Sequence, residues 1–64
     1  MSKYLVLCDA IEVMKTFSEK EAQGCYANAV KSQKYSSVVL RIEEKTHGYA
    51  VKSWSKEYGE SFMV

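Results

Sequence analysis

The sequence predicts an α+β fold of the order ββαββ, in which a four-stranded, mainly antiparallel sheet carries one helix packed on one face. Three observations predict it. Residues 17–31 show the periodicity of an amphipathic helix. Two runs rich in β-branched and aromatic residues precede this segment, and two more follow it. The 64 residues are enough for one domain, and a helix lying across one side of the sheet is the simplest packing.

The first two strands are predicted at residues 4–8 and 11–17, joined as a hairpin. The turn chemistry between them is weak, because Asp9 is favourable but Ala10 follows it in place of glycine. With a loop of two or four residues, alternation gives the hairpin two distinct faces. The face predicted to lie beneath the helix holds Tyr4, Val6, Cys8, Ile11, Val13, Lys15 and Phe17. The uncovered face holds Leu5, Leu7 and Met14.

The predicted helix has a well-marked start. Ser18 and Glu21 form a capping box, in which the Ser18 hydroxyl accepts from an amide of the first turn and Glu21 reaches back to the Ser18 amide. Phe17 and Ala22 occupy the two positions of a hydrophobic staple. The face predicted to pack on the sheet recurs at helical spacing and consists of Ala22, Cys25, Tyr26, Ala29 and Val30.

Two further strands are predicted at residues 37–44 and 49–56, around a turn in which Gly48 supplies a positive φ. The domain is predicted to span residues 1–57, and residues 58–64 form a C-terminal tail. The order of elements is similar to that of the immunoglobulin-binding domain of protein G, at a similar length. This likeness is one of architecture, and a shared architecture implies nothing about function.

The loop before Gly48 leaves two registers open. A two-residue loop puts Arg41 opposite Trp54 and Glu43 opposite Lys52, with both pairs on the uncovered face. A three-residue loop with a bulge puts Trp54 opposite Leu40 and in the core, since a slip of one residue exchanges the faces. We favour the core position, because a lone large aromatic in a small domain is usually recruited to the core.

Composition argues against several classes of protein. The formal net charge is +1, which gives no overall electrostatic basis for binding nucleic acid or a membrane surface. No apolar run approaches the roughly 20 residues of a membrane span. The N-terminal residues pass directly into a strand pattern without the features of a signal peptide, so we expect a cytoplasmic protein with reduced thiols.

Catalytic and metal chemistry find little support in the sequence. Two cysteines and one histidine cannot form a four-ligand structural zinc site, and no cofactor motif is present. His47 is interpreted as a solvated turn residue, and Cys8 and Cys25 as buried structural thiols. The acidic pairs 43–44 and 57/60 have no catalytic or metal-binding spacing. We therefore expect no enzymatic activity and no cofactor.

The expected function is protein binding. One helix covers one face of a sheet, so an apolar strip on the other face would mark an interface. The residues predicted to bind the partner are Leu5, Leu7, Met14, Val39, Arg41, Lys52 and Trp54. The partner is expected to be a second copy, through this face or an unpaired strand edge, or another protein. Alternatively, the tail covers the strip with Phe62, Met63 and Val64.

Two further expectations concern the kind of binding. A 64-residue reading frame without catalytic groups is typical of small accessory proteins of phages and mobile elements that inhibit a host protein. The alternative is single-stranded nucleic-acid binding, which under the two-residue register would use basic side chains around an aromatic on the open sheet face. The residues of that platform would be Lys15, Arg41, Lys52, Trp54 and Lys56.

Overall fold

A computed structural model of the chain describes residues 2–62, and the side chains of residues 2–61. The elements run in the order β1 (Lys3–Cys8), β2 (Ile11–Thr16), α1 (Glu19–Ser32), β3 (Ser37–Glu43), β4 (Gly48–Ser55) and β5 (Gly59–Phe62). The strands form one sheet in the order β2-β1-β3-β4-β5, and every neighbouring pair is antiparallel. The α+β class is confirmed. The sheet has five strands where the sequence predicted four.

The helix start follows its sequence signal, with one change. The Ser18 hydroxyl accepts from the Glu21 amide at 3.2 Å. The Thr16 hydroxyl accepts from the Ser18 amide at 3.0 Å and donates to the Glu21 carboxylate at 3.0 Å. The Thr16 hydroxyl therefore bridges the Glu21 carboxylate and the Ser18 amide, which the predicted capping box joined directly. Phe17 keeps 62% of its surface exposed, so the predicted staple adds little cover to the helix.

The core lies between α1 and strands β1 and β3, and we call this side of the sheet the helix face. The buried residues that pack together there are Val6, Cys8, Ala22, Tyr26, Val38 and Leu40. Half-buried apolar residues surround them, including Met14, Val51 and Trp54. The opposite side of the sheet is the open face. The prediction that Tyr4, Val6 and Cys8 point toward the helix is confirmed.

The first hairpin turns tightly at Asp9 and Ala10. Both residues have positive φ, 52° and 69°, as a two-residue type I′ turn requires. The Asp9 carboxylate accepts from the amides of Ser36 and Ser37 at 2.9 and 3.1 Å. The hairpin that the sequence predicted is therefore present, and its turn is anchored to the start of β3.

A β-bulge in the first hairpin corrects two predicted positions. Val6 lies opposite Met14 and Leu7 opposite Glu12, which leaves Val13 as an extra residue of β2. The expectation that Met14 faces away from the helix is wrong, because the extra residue reverses the alternation beyond it. Met14 instead packs against the core, while Lys15, opposite Leu5, lies on the open face.

The second hairpin follows neither of the two registers considered. Glu43 lies opposite Gly48 across a four-residue loop, and the Glu44 amide donates to the His47 carbonyl at 2.8 Å. A second bulge then skips Val51, so that Lys52 lies opposite Leu40. Lys52 is thus on the helix face. The expectation that it lies on the open face is wrong, because the extra residue Val51 reverses the alternation of side chains beyond it.

Trp54 lies opposite Val38 and packs against the core. Its favoured core position is confirmed, although its cross-strand neighbour is Val38 and not Leu40. Its placement among the open-face binding residues is therefore wrong.

The fifth strand arises within the segment predicted as a tail. Residues 59–62 pair with β4 in a register that places Glu60 opposite Trp54 and Ser61 opposite Ser53. This backbone extends the plane of the sheet beyond β4, whereas the alternative prediction folded the tail over the open face. Met63 and Val64, which that alternative also used, lie outside the described residues.

Candidate protein-binding edge

The open face presents less apolar surface than the sequence suggested. Leu5 lies opposite Arg41 on one neighbouring strand and Lys15 on the other, and it is only 6% exposed. The aliphatic stems of long basic side chains commonly cover apolar neighbours in this way. Leu7 and Val39 lie opposite each other and are half-buried. The open-face placement of these residues is confirmed, but Leu5 offers little surface to a partner.

Exposed apolar side chains concentrate instead on and beside β2. Ile11 is 68% exposed, Val13 is 48% exposed, and Phe17 follows the strand with its ring largely in solvent. The sequence had predicted that all three residues lie beneath the helix. In the structure all three side chains are exposed to solvent.

Strand β2 is also an edge of the sheet. It pairs with β1 on one side, and no strand within residues 2–62 pairs with its other side. Its outward backbone amides and carbonyls are therefore available to an added strand. Proline, one residue that blocks such edges, does not occur in the chain. We call Ile11, Val13 and Phe17, together with this unpaired backbone, the β2 edge surface.

A groove runs between β2 and α1, next to the β2 edge surface. Its volume is about 650 Å³, and Val13, Met14, Cys25, Ala29 and Tyr35 contribute apolar walls. Glu21, Asn28 and Lys34 add polar groups to the same lining. A partner that adds to β2 would thus find a concave apolar feature beside the strand.

Both thiols line this groove, but their chemistry is that of inert cysteines. Burial raises the pKa of Cys8, and Cys25 and Asp9 raise it further. Burial also raises the pKa of Cys25. Both side chains are free thiols, and a raised pKa keeps them protonated and weakly nucleophilic at neutral pH.

The remaining candidate groups do not assemble into a site. His47 is exposed, and its ring stacks on Tyr49 with centroids 6.2 Å apart. Among the described residues, no three His, Cys, Asp or Glu side chains come together as metal ligands. Lys15 and Arg41 lie on the open face, whereas Lys52 and Trp54 lie on the helix face. The residues predicted to bind nucleic acid together therefore lie on opposite faces of the sheet.

No family model matches the sequence, and neither the curated proteins nor the solved structures include a match to it. In the part of the chain that the structure describes, no helix has both the length and the apolar character needed to cross a membrane.

Proposed function

We propose that this chain is a non-catalytic protein-binding module whose interface is the β2 edge surface. The observation that supports this function best is the coincidence of three exposed apolar side chains with an unpaired strand edge. Exposed edges are templates for strand addition, in which backbone hydrogen bonds provide affinity and side-chain contacts provide specificity. The groove beside α1 would receive side chains from the added strand.

The energy available from this surface indicates a modest affinity. Full burial of an apolar side chain contributes about 1.5–3 kcal/mol. Given the exposed fractions of Ile11, Val13 and Phe17, covering all three would contribute about 3–5 kcal/mol. Association costs at least about 4 kcal/mol in lost freedom. Strand hydrogen bonds and contacts in the groove must therefore supply the surplus, and we expect micromolar binding rather than nanomolar binding.

We propose two forms of binding for this module. It associates with itself, or it inhibits a host protein in the cytoplasm, as small proteins of phages and mobile elements do. Single-stranded nucleic-acid binding loses its geometric basis, because the register that it required is absent. Lys52 lies opposite Leu40 and Trp54 opposite Val38, so both are on the helix face.

Site-specific photo-crosslinking tests the interface without knowledge of the partner. A benzophenone amino acid is placed at Val13, and the matched control carries it at Tyr58, which is 83% exposed but distant from β2 in the sheet order. Each protein is irradiated alone and in a lysate of the source cells. We expect protein adducts at position 13 that excess native chain suppresses and that excess Val13→Lys chain does not. Equal adducts at both positions, or none at position 13, would refute the β2 edge surface as the interface.

A further inference from the structure

We propose that the partner strand at the β2 edge surface is β2 of a second copy of this chain, added antiparallel about a two-fold axis at Met14. This inference rests on the proposed function and specifies its partner. It follows from how the bulge at Val13 arranges the charges of β2.

The bulge places one acid and one base on the same face of β2. Glu12 lies opposite Leu7, and Lys15 lies opposite Leu5, so both point to the open face. In a regular strand, residues three apart would point to opposite faces. The extra residue Val13 removes that opposition. Both charged side chains are exposed, as binding at this edge requires.

This arrangement makes the strand complementary to itself. The five ladder positions of β2 are, in order, Ile11, Glu12, Met14, Lys15 and Thr16, so Met14 is central. A two-fold antiparallel pair puts each residue opposite its mirror position in the second copy. With Met14 opposite its own counterpart, and with Val13 left out of the new ladder as it is left out of the ladder with β1, Glu12 faces Lys15 of the second copy. The symmetry repeats that attractive pair, and opposite charges directly across a strand pair are stabilising.

The same arrangement brings two of the three exposed apolar side chains, Ile11 and Val13, to the new strand pair. Ile11 lies opposite Thr16 of the second copy on the helix face, and each Val13 is brought to the new strand pair. The two sheets join into one continuous sheet, with both α1 helices on the same side. The groove beside each helix then opens toward the other across the paired β2 strands. An unrelated protein strand could bind the same edge, but it would have no reason to match the spacing of Glu12 and Lys15.

Charge reversal and exchange test both the partner and the register. Sedimentation equilibrium of the native chain, across a range of protein concentrations, should show a reversible monomer–dimer equilibrium. Glu12→Lys should weaken dimerisation about tenfold, because it replaces two attractive pairs by two repulsive ones. Lys15→Glu should do the same. The double variant E12K/K15E exchanges the charges, and its dissociation constant should return to within about threefold of the native value.

The control variant is Lys20→Glu, which changes the net charge as Lys15→Glu does but at an exposed position on α1. It should leave dimerisation unchanged. Circular dichroism and urea unfolding of each variant separate a loss of association from a loss of fold.

Each outcome decides the question. A native chain that stays monomeric at submillimolar concentration overturns the inference. If photo-crosslinking at position 13 then still captures another protein, the proposed function stands although the inferred dimer does not form. A dimer that the double variant does not restore shows a different register or surface and also overturns the inference. Recovery in the double variant, with an unaffected Lys20→Glu control, establishes the paired β2 strands.

Discussion

Replacing Tyr26 with Phe removes one hydroxyl group and leaves the buried ring in place. The Tyr26 side chain is 2% exposed, and its hydroxyl donates to Oε2 of Glu60 at 2.9 Å. This hydrogen bond connects the middle of α1 to β5, the strand at the far edge of the sheet. The ring also lies under the Lys52 ammonium, with Nζ 4.7 Å from its centroid, and Phe preserves that contact.

The expected loss of stability follows from the exposure of the acceptor. A hydrogen bond to a charged group contributes about 1.5–3 kcal/mol to stability. Glu60 is exposed, so water replaces part of the interaction when the hydroxyl is removed. We therefore expect Tyr26→Phe to lower the free energy of unfolding by about 1 kcal/mol. In a domain of this size, that loss corresponds to a decrease in Tm of about 4–8 °C.

Urea unfolding, followed by circular dichroism, measures the effect in a double-mutant cycle with Glu60→Ala, which removes the acceptor of this hydrogen bond. The coupling free energy between the two positions should be about 1 kcal/mol if the hydrogen bond holds β5 to the helix. Tyr58→Phe removes a hydroxyl from an exposed ring and should change the free energy of unfolding by less than about 0.5 kcal/mol. A coupling energy near zero would refute this account of how β5 is anchored.

Two further predictions concern the first turn and the response to alkaline pH. Ala10→Gly should raise the free energy of unfolding by about 0.5–1 kcal/mol in urea titrations, because Ala10 has a φ of 69° that glycine adopts without steric cost. An unchanged or lower urea midpoint would contradict the assigned turn. Folding raises the pKa of Cys8 and Cys25 above 9.0 and that of Tyr26 above 10.0, so the stability that these three groups contribute should be complete below about pH 8 and fall as pH rises further. The folded chain holds these protons more tightly, so the unfolded chain ionises first, and each group contributes a slope of up to about 1.4 kcal/mol per pH unit. Urea midpoints measured from about pH 8 to about pH 11 under reducing conditions would show this fall. Tyr26→Phe should make the fall less steep above about pH 10, because it removes one of the ionising groups. A fall of equal steepness in that variant would contradict the assignment to Tyr26.

Local signals in the sequence were sufficient for the helix and the first hairpin. Ser18 caps α1 because its hydroxyl reaches an amide three residues away, and that geometry depends on neighbours in the chain alone. The alternation in β1 likewise predicted which side of that strand enters the core. The same reasoning placed Leu5, Leu7 and Val39 on the open face, where the structure has them.

The position of each bulge and the order of the strands came from contacts between distant parts of the chain. Nothing near Val13 or Val51 in the sequence marks either residue as the one that the ladder skips. A skipped residue reverses every side chain beyond it, so Met14 and Lys52 could be placed only once the strands had paired across the core. Residues 59–62 pair with β4, and Glu60 in this strand accepts a hydrogen bond from Tyr26, 34 positions away along the chain. Periodicity reports which residues share a face within one uninterrupted strand, whereas register is decided by the packing of several elements at once.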